Sequence, residues 1–139
     1  MERYGMNEQS AKEWLSKSWH NLSGAKLLYN ANHYTDVTAV ELHYSVEKIL
    51  KSFLAYHNRR MMKTHDLYEI YKEIKQYIEL DEYISMLDQI SEYHIEESYP
   101  AFDRTMPSME EIKEVLDFAE ELIEKVCIIL KVNIEEVKK

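Results

Sequence analysis

The amino-acid sequence predicts an all-α fold, an up-and-down bundle of four to five helices, and three observations carry that prediction. Apolar residues recur at intervals of three and four along most of the 139 residues. Only two glycines and two prolines are present, too few for the tight reversals of a sandwich or barrel. Two stretches, Ser10-Ala11-Lys12-Glu13 and Ser108-Met109-Glu110-Glu111, have capping-box spacing. The length suits one domain spanning 1–139, with its core over about 10–130.

The first helix is predicted from about Ser10 to Asn30, with Ala11, Trp14, Leu15, Leu22, Ala25, Leu28 and Tyr29 along one side. Asn30-Ala31-Asn32-His33 ends it. A second helix runs from Thr35 or Asp36 to about Tyr56. It carries two apolar stripes: Ala39, Leu42, Val46, Ile49 and Phe53 form one, and Val40, Tyr44 and Leu54 the other. A helix apolar on two sides belongs in the middle of a bundle or against a second subunit. Glu47 and Lys51 are four residues apart, in the orientation that favours an intrahelical ion pair.

After a polar connector, His57-Asn58-Arg59-Arg60-Met61-Met62-Lys63-Thr64, the third helix is expected to reach about Ile78, with Thr64 as its cap. Asp66 falls in its first turn, where negative charge complements the helix dipole. Leu67, Ile70, Tyr71, Ile74 and Ile78 make the inward stripe. A fourth segment, about Asp81 to Glu96, repeats the pattern through Ile84, Leu87, Ile90 and Tyr93 or His94, and Pro100 stops it. The fifth follows Pro107, with Ile112, Val115, Leu116, Ala119, Leu122, Ile123, Val126 and Ile129 inward. Residues 132–139 either extend it or form a loose final turn. Tyr68, Tyr71, Tyr83 and Tyr93 have helical spacing and suit core or interface packing with their hydroxyls reaching water.

Charge narrows the function classes. Residues 1–65 carry nine Lys/Arg against six Asp/Glu, a balance of +3, whereas residues 66–139 carry eight against twenty, a balance of −12. A chain of net charge −9 repels polyanions in its far field, so any nucleic-acid contact must be local. Positive charge gathers at Lys48, Lys51, Arg59, Arg60 and Lys63. The single cysteine, Cys127, excludes an internal disulfide framework and a Cys-based zinc site, and suits a reducing compartment such as the cytoplasm. Its place on the apolar end of the last helix makes it a packing residue. No apolar run reaches the roughly 18–20 residues of a membrane span, and no signal segment opens the chain, so no membrane partner is expected.

Fixed-geometry catalytic templates are missing. With Gly5 and Gly24 as the only glycines, neither a P-loop nor a dinucleotide fingerprint is built. His-Glu-x-x-His is absent, and none of the six histidines stands three residues after a glutamate, so no metal is expected from these spacings. No cofactor is expected either.

Trp14, the Asn21-Leu22 pair, Ala25, the turn through Tyr34, the run His43-Tyr44-Ser45-Val46-Glu47-Lys48-Ile49-Leu50-Lys51-Ser52-Phe53-Leu54, Thr64-His65-Asp66-Leu67 and Ser98-Tyr99-Pro100 remain. Together, over about residues 10–130, they resemble the HEPN domain family. The resemblance implies an up-and-down helical bundle that usually forms a homodimer. Members are commonly encoded beside a minimal nucleotidyltransferase, as in toxin–antitoxin pairs; many are toxin-type ribonucleases or are proposed to bind nucleotides. Two departures bear on function. His43 stands where the family often has glutamine, and Ser98 where an arginine often precedes Tyr-Pro. The ribonuclease branch uses arginine, four to six residues, then histidine, towards the last helices; here no histidine follows Arg104. Arg60 and His65 have that spacing, but they lie in the connector before the third helix.

Three functions follow as expectations. One is a non-catalytic domain that binds a nucleotide or other anion through Lys48, Lys51, Arg60, Lys63, His65 and Tyr99, with free amides at a helix N-terminus, and docks with a nucleotidyltransferase. Another is a metal-independent endoribonuclease with RNA as substrate, His65 as general base and Arg60 as phosphate clamp. The last is a homodimeric interaction module without a ligand. Tyr99 either supports the site or plugs the end of the bundle.

Overall fold

A computed structural model describes residues 7–98 and 106–139. The elements are α1 (Glu8–Asn30), α2 (Thr35–Tyr56), α3 (Leu67–Ile74), a 3-10 turn (Asp81–Tyr83), α4 (Ile84–Ser98), α5 (Met109–Leu130) and the short α6 (Ile134–Val137). No strand occurs among the described residues.

Cross-helix bonds set the directions. The amide of Asn7 donates to Tyr56 O at 2.6 Å, joining the start of α1 to the end of α2. Lys26 bonds Glu120 at 2.7 Å and Lys12 bonds Glu136 at 2.8 Å, so α5 runs antiparallel to α1. Tyr83 packs on Phe118 at 5.0 Å, while the Tyr93 hydroxyl donates to Glu111, so α4 runs antiparallel to α5. The four long helices therefore alternate up and down, with α3 and α6 as short additions.

The doubly apolar α2 is central, packed against α1, α3, α4 and α5. Leu42, Val46, Ile49, Leu50 and Phe53 are wholly buried in it. Nothing in this arrangement needs glycine at a helix end. Asn32, Asn58 and Lys131 adopt left-handed backbones, φ 55, 52 and 58°, just past α1, α2 and α5. In each case the next amide reaches back five residues: His33 to Leu28, Arg59 to Leu54, Val132 to Cys127. This closure satisfies the last carbonyls, and asparagine tolerates the conformation better than most residues.

Several predicted boundaries move. Asn7, not Ser10, caps α1, its Oδ1 accepting from the Ser10 amide at 3.0 Å. Asp66, not Thr64, caps α3. Its Oδ1 accepts from the Tyr68 and Glu69 amides at 3.0 and 3.2 Å, while the Thr64 hydroxyl accepts from the Asp66 amide at 3.0 Å. α3 stops at Ile74 rather than Ile78, although Ile78 still reaches the core. Ile129 is 38% exposed, and Leu130 takes the inward place expected of it. Ser108 caps α5 as predicted, accepting from the Glu111 amide at 3.0 Å, and the remaining inward residues of α5 are buried. Cys127 is buried, and burial pushes its thiol up to about 11, which leaves it inert at neutral pH.

Candidate functional site

The helical repeat of α2 places His43, Glu47 and Lys51 one turn apart on its buried side, facing the segment before α3 and the face of α4. Glu47 is the hub. Its Oε1 lies 3.0 Å from His43 Nε2 and 2.9 Å from His65 Nδ1, and its Oε2 accepts from Lys51 Nζ at 2.9 Å. His43 is fully buried, and its other ring nitrogen, Nδ1, donates to the backbone carbonyl of Ile90 on α4 at 3.0 Å. His94 completes the group from α4. Its ring stacks on His65 at 4.3 Å and lies 5.3 Å from the ring of His43. One carboxylate thus ties together α2 and the connector, while the His43 ring carries the link on to α4.

The electrostatics follow from that packing. Burial alone would raise the Glu47 carboxyl, but hydrogen bonds from His43, Lys51 and His65, with the Lys51 charge, outweigh it and hold the group at about 2. His94 is pushed the other way, below the usual imidazole range, first by burial and then by the neighbouring histidines.

The predicted cations do not form one pocket. Lys51 is buried against Glu47, and the predicted intrahelical pair is present. Lys48 turns to α1, donating to Asn21 Oδ1 at 2.7 Å, and burial lowers its pKa. His65 is half-exposed with Nδ1 occupied. Amides at the start of α3, expected to be free, are engaged: Leu67 by Ser91 Oγ at 2.9 Å, Tyr68 and Glu69 by Asp66. Arg60 and Lys63 are exposed, and among the described residues no hydrogen bond or ion pair ties either down. Tyr99 lies outside the described residues.

Arg60 instead lines a cleft of about 380 Å³ with Leu54, Arg59, Met61, Met62 and Glu73. Arg59 is fixed across it, donating to the backbone and to Oε1 of Glu73, the latter at 3.0 Å. This cleft and the Glu47 cluster have no lining residue in common.

The model of the HEPN domain family matches residues 11–132, nearly the whole chain. The protein belongs to the HEPN domain family. Neither curated proteins nor solved structures give a match. The helical architecture agrees with the HEPN bundle, and among the described residues no helix is long and apolar enough to cross a membrane. In this HEPN domain His43, at the head of the α2 motif, is a structural participant that sequence reasoning treated only as a departure from glutamine. The available signal was the i, i+4, i+8 series His43, Glu47, Lys51 on an otherwise apolar side. His94 had no such signal, because its approach to His65 is made only by folding.

Proposed function

We propose that this HEPN domain is a non-catalytic binding module that takes a nucleotide or similar phosphate-bearing ligand at the connector cleft and docks with a nucleotidyltransferase. The observation that carries the reading is the uncommitted Arg60 guanidinium beside a half-buried Met61–Met62 wall in a concave site of about 380 Å³. A guanidinium binds phosphate through paired N–H groups, and thioether side chains adapt to a flat base. Ligand pockets of this size hold small molecules. Charge also favours a small anion over a nucleic acid, since the remainder of the chain is strongly acidic.

The test is calorimetric titration of the purified protein with nucleoside mono-, di- and triphosphates, beside Arg60→Ala. Saturable binding that weakens about tenfold or more in the variant supports the reading; binding of equal strength in both removes it. Recovery of a nucleotidyltransferase with the tagged protein from its own cells checks the docking half. Light scattering checks for the second copy of the chain that the family resemblance leads one to expect.

A second reading, the metal-independent ribonuclease, draws on one observation. The buried Glu47 carboxylate orients His65, leaving Nε2 on the half-exposed side as a candidate general base. Against it, Glu47 already serves His43 and Lys51, so less of its charge is left to stabilise a protonated His65. RNA cleavage in EDTA that disappears in His65→Ala would establish this activity; no cleavage by the wild type dismisses it.

A further inference from the structure

We propose that His43, Glu47 and His65 form a binding site for one zinc-type divalent cation, separate from the connector cleft. One ligand atom from each of His43, Glu47 and His65 lies within 4.8 Å of the other two, and His43 Nε2 and His65 Nδ1 both approach Glu47 Oε1. Two imidazole nitrogens and one carboxylate oxygen are a donor set that suits zinc, with a fourth position left for water or a ligand. Ligand atoms at zinc-bond length around a tetrahedral centre stand roughly 3.4 Å apart. The spacings of 3.0 and 2.9 Å from Glu47 Oε1 need to open by only a few tenths of an ångström.

The hydrogen bonds around these atoms point the same way. His43 Nδ1 donates to Ile90 O at 3.0 Å, which fixes the ring and directs Nε2 at Glu47 Oε1. A carboxylate oxygen only accepts, so the contact between Nε2 and Oε1 requires a positive centre between them, either a proton or a metal ion. A histidine that donates its outer nitrogen to a carbonyl while turning the inner one to a cation is a recurrent metal-site arrangement. Lys51 holds Glu47 Oε2 at 2.9 Å, which leaves Oε1 as the single coordinating oxygen. Its ammonium opposes the incoming charge and so lowers affinity without blocking the position. Access comes from the side of His65, whose side chain is 49% exposed, whereas His43 and Glu47 are closed off.

The histidine spacings of the sequence could not reveal this set, because His65 comes from a separate segment. His43 and Glu47 supply only the i, i+4 half of the site from α2.

The test uses untagged, metal-free full-length protein titrated with Co²⁺, followed by its visible ligand-field bands and by displacement with Zn²⁺. The wild type is expected to bind one Co²⁺ per chain, to keep one Zn²⁺ through gel filtration, and to melt at higher temperature with Zn²⁺. His43→Ala removes a fully buried ring and risks misfolding, so the deciding variant is His65→Ala, with folding checked by circular dichroism. It is expected to lose at least about tenfold in affinity and to lose the thermal shift. The exposed-site control His20→Ala is expected to behave as wild type. Folded wild type without ligand-field bands or retained zinc overturns the proposal, as does a His65→Ala protein that binds as tightly as its parent. Neither result bears on nucleotide binding at Arg60.

Discussion

Around Glu47 the charges face each other, whereas Arg60 and Lys63 of the connector face outward. Lys51 and His65 were both expected to serve a ligand, yet both spend their nearest hydrogen bond on one buried carboxylate. Arg60, only five residues before His65 in the chain, lines an open cleft with no internal partner among the described residues. The difference comes from which residues reach the core side of α2. A cation that must lie beside wholly buried neighbours is tolerated only when paired, whereas one on a surface connector stays hydrated and remains available. Proximity in sequence therefore says little about shared function here.

Removing the hub should break this contrast most severely. Glu47→Ala leaves the buried Lys51 ammonium without its carboxylate, and loss of one member of a buried pair costs about 3–5 kcal/mol. Chemical denaturation should show a midpoint shift of that size with little change in slope. A loss below about 1 kcal/mol would mean the cluster is effectively solvated and the contrast with the connector is false.

Acid sharpens the same comparison without mutation. The Glu47 carboxyl titrates near 2 in the folded chain, against the ordinary 4.5 of a glutamate in the unfolded one. The unfolded chain takes up the proton first, so the stabilisation is complete above about pH 5 and is lost as pH falls towards 2. At 1.36 kcal/mol per pH unit this amounts to about 3 kcal/mol. Metal-free wild type and Glu47→Gln, denatured at a series of pH values, should converge in stability as the pH drops through that window. Curves that stay parallel would show that Glu47 does not carry the acid sensitivity.

The contrast also marks what the sequence discloses. The Glu47–Lys51 pair was legible because both residues sit on one helix at a spacing that fixes their meeting. The inward stripe of α5 was legible for the same reason, and Ser108 was correctly read as its cap. The convergence of His43, His65 and His94 was not, since these rings come from α2, the connector and α4, and only the antiparallel packing brings them to 4.3–6.2 Å. The cap of α3 lies between these cases. Thr64 and Asp66 are both good capping residues two positions apart, and local preference cannot choose between them. The choice falls to Leu67, which is wholly buried at the first helical position, so the helix starts there and Asp66 becomes its cap.

That assignment gives a smaller effect at the border of the two regions. Asp66→Ala removes the acceptor for the Tyr68 and Glu69 amides and should cost about 1 kcal/mol, as loss of an N-cap does. Thr64→Ala removes only the bond to the Asp66 amide and should cost less. Equal losses would mean that the two residues cap as a unit.

The least disturbance to folding is expected at Arg60. Its guanidinium is exposed and has no described partner, so Arg60→Ala should leave stability within about 0.5 kcal/mol of wild type. Arg59 is the internal control: it is bonded to Glu73, and its loss should be felt in the melt before any ligand is added. A side chain that costs nothing to remove from the free protein but weakens phosphate binding is one held for a partner. If Arg60→Ala instead lowers the melting temperature as far as Arg59→Ala does, Arg60 is part of the scaffold, and the connector belongs with the Glu47 cluster rather than opposite it.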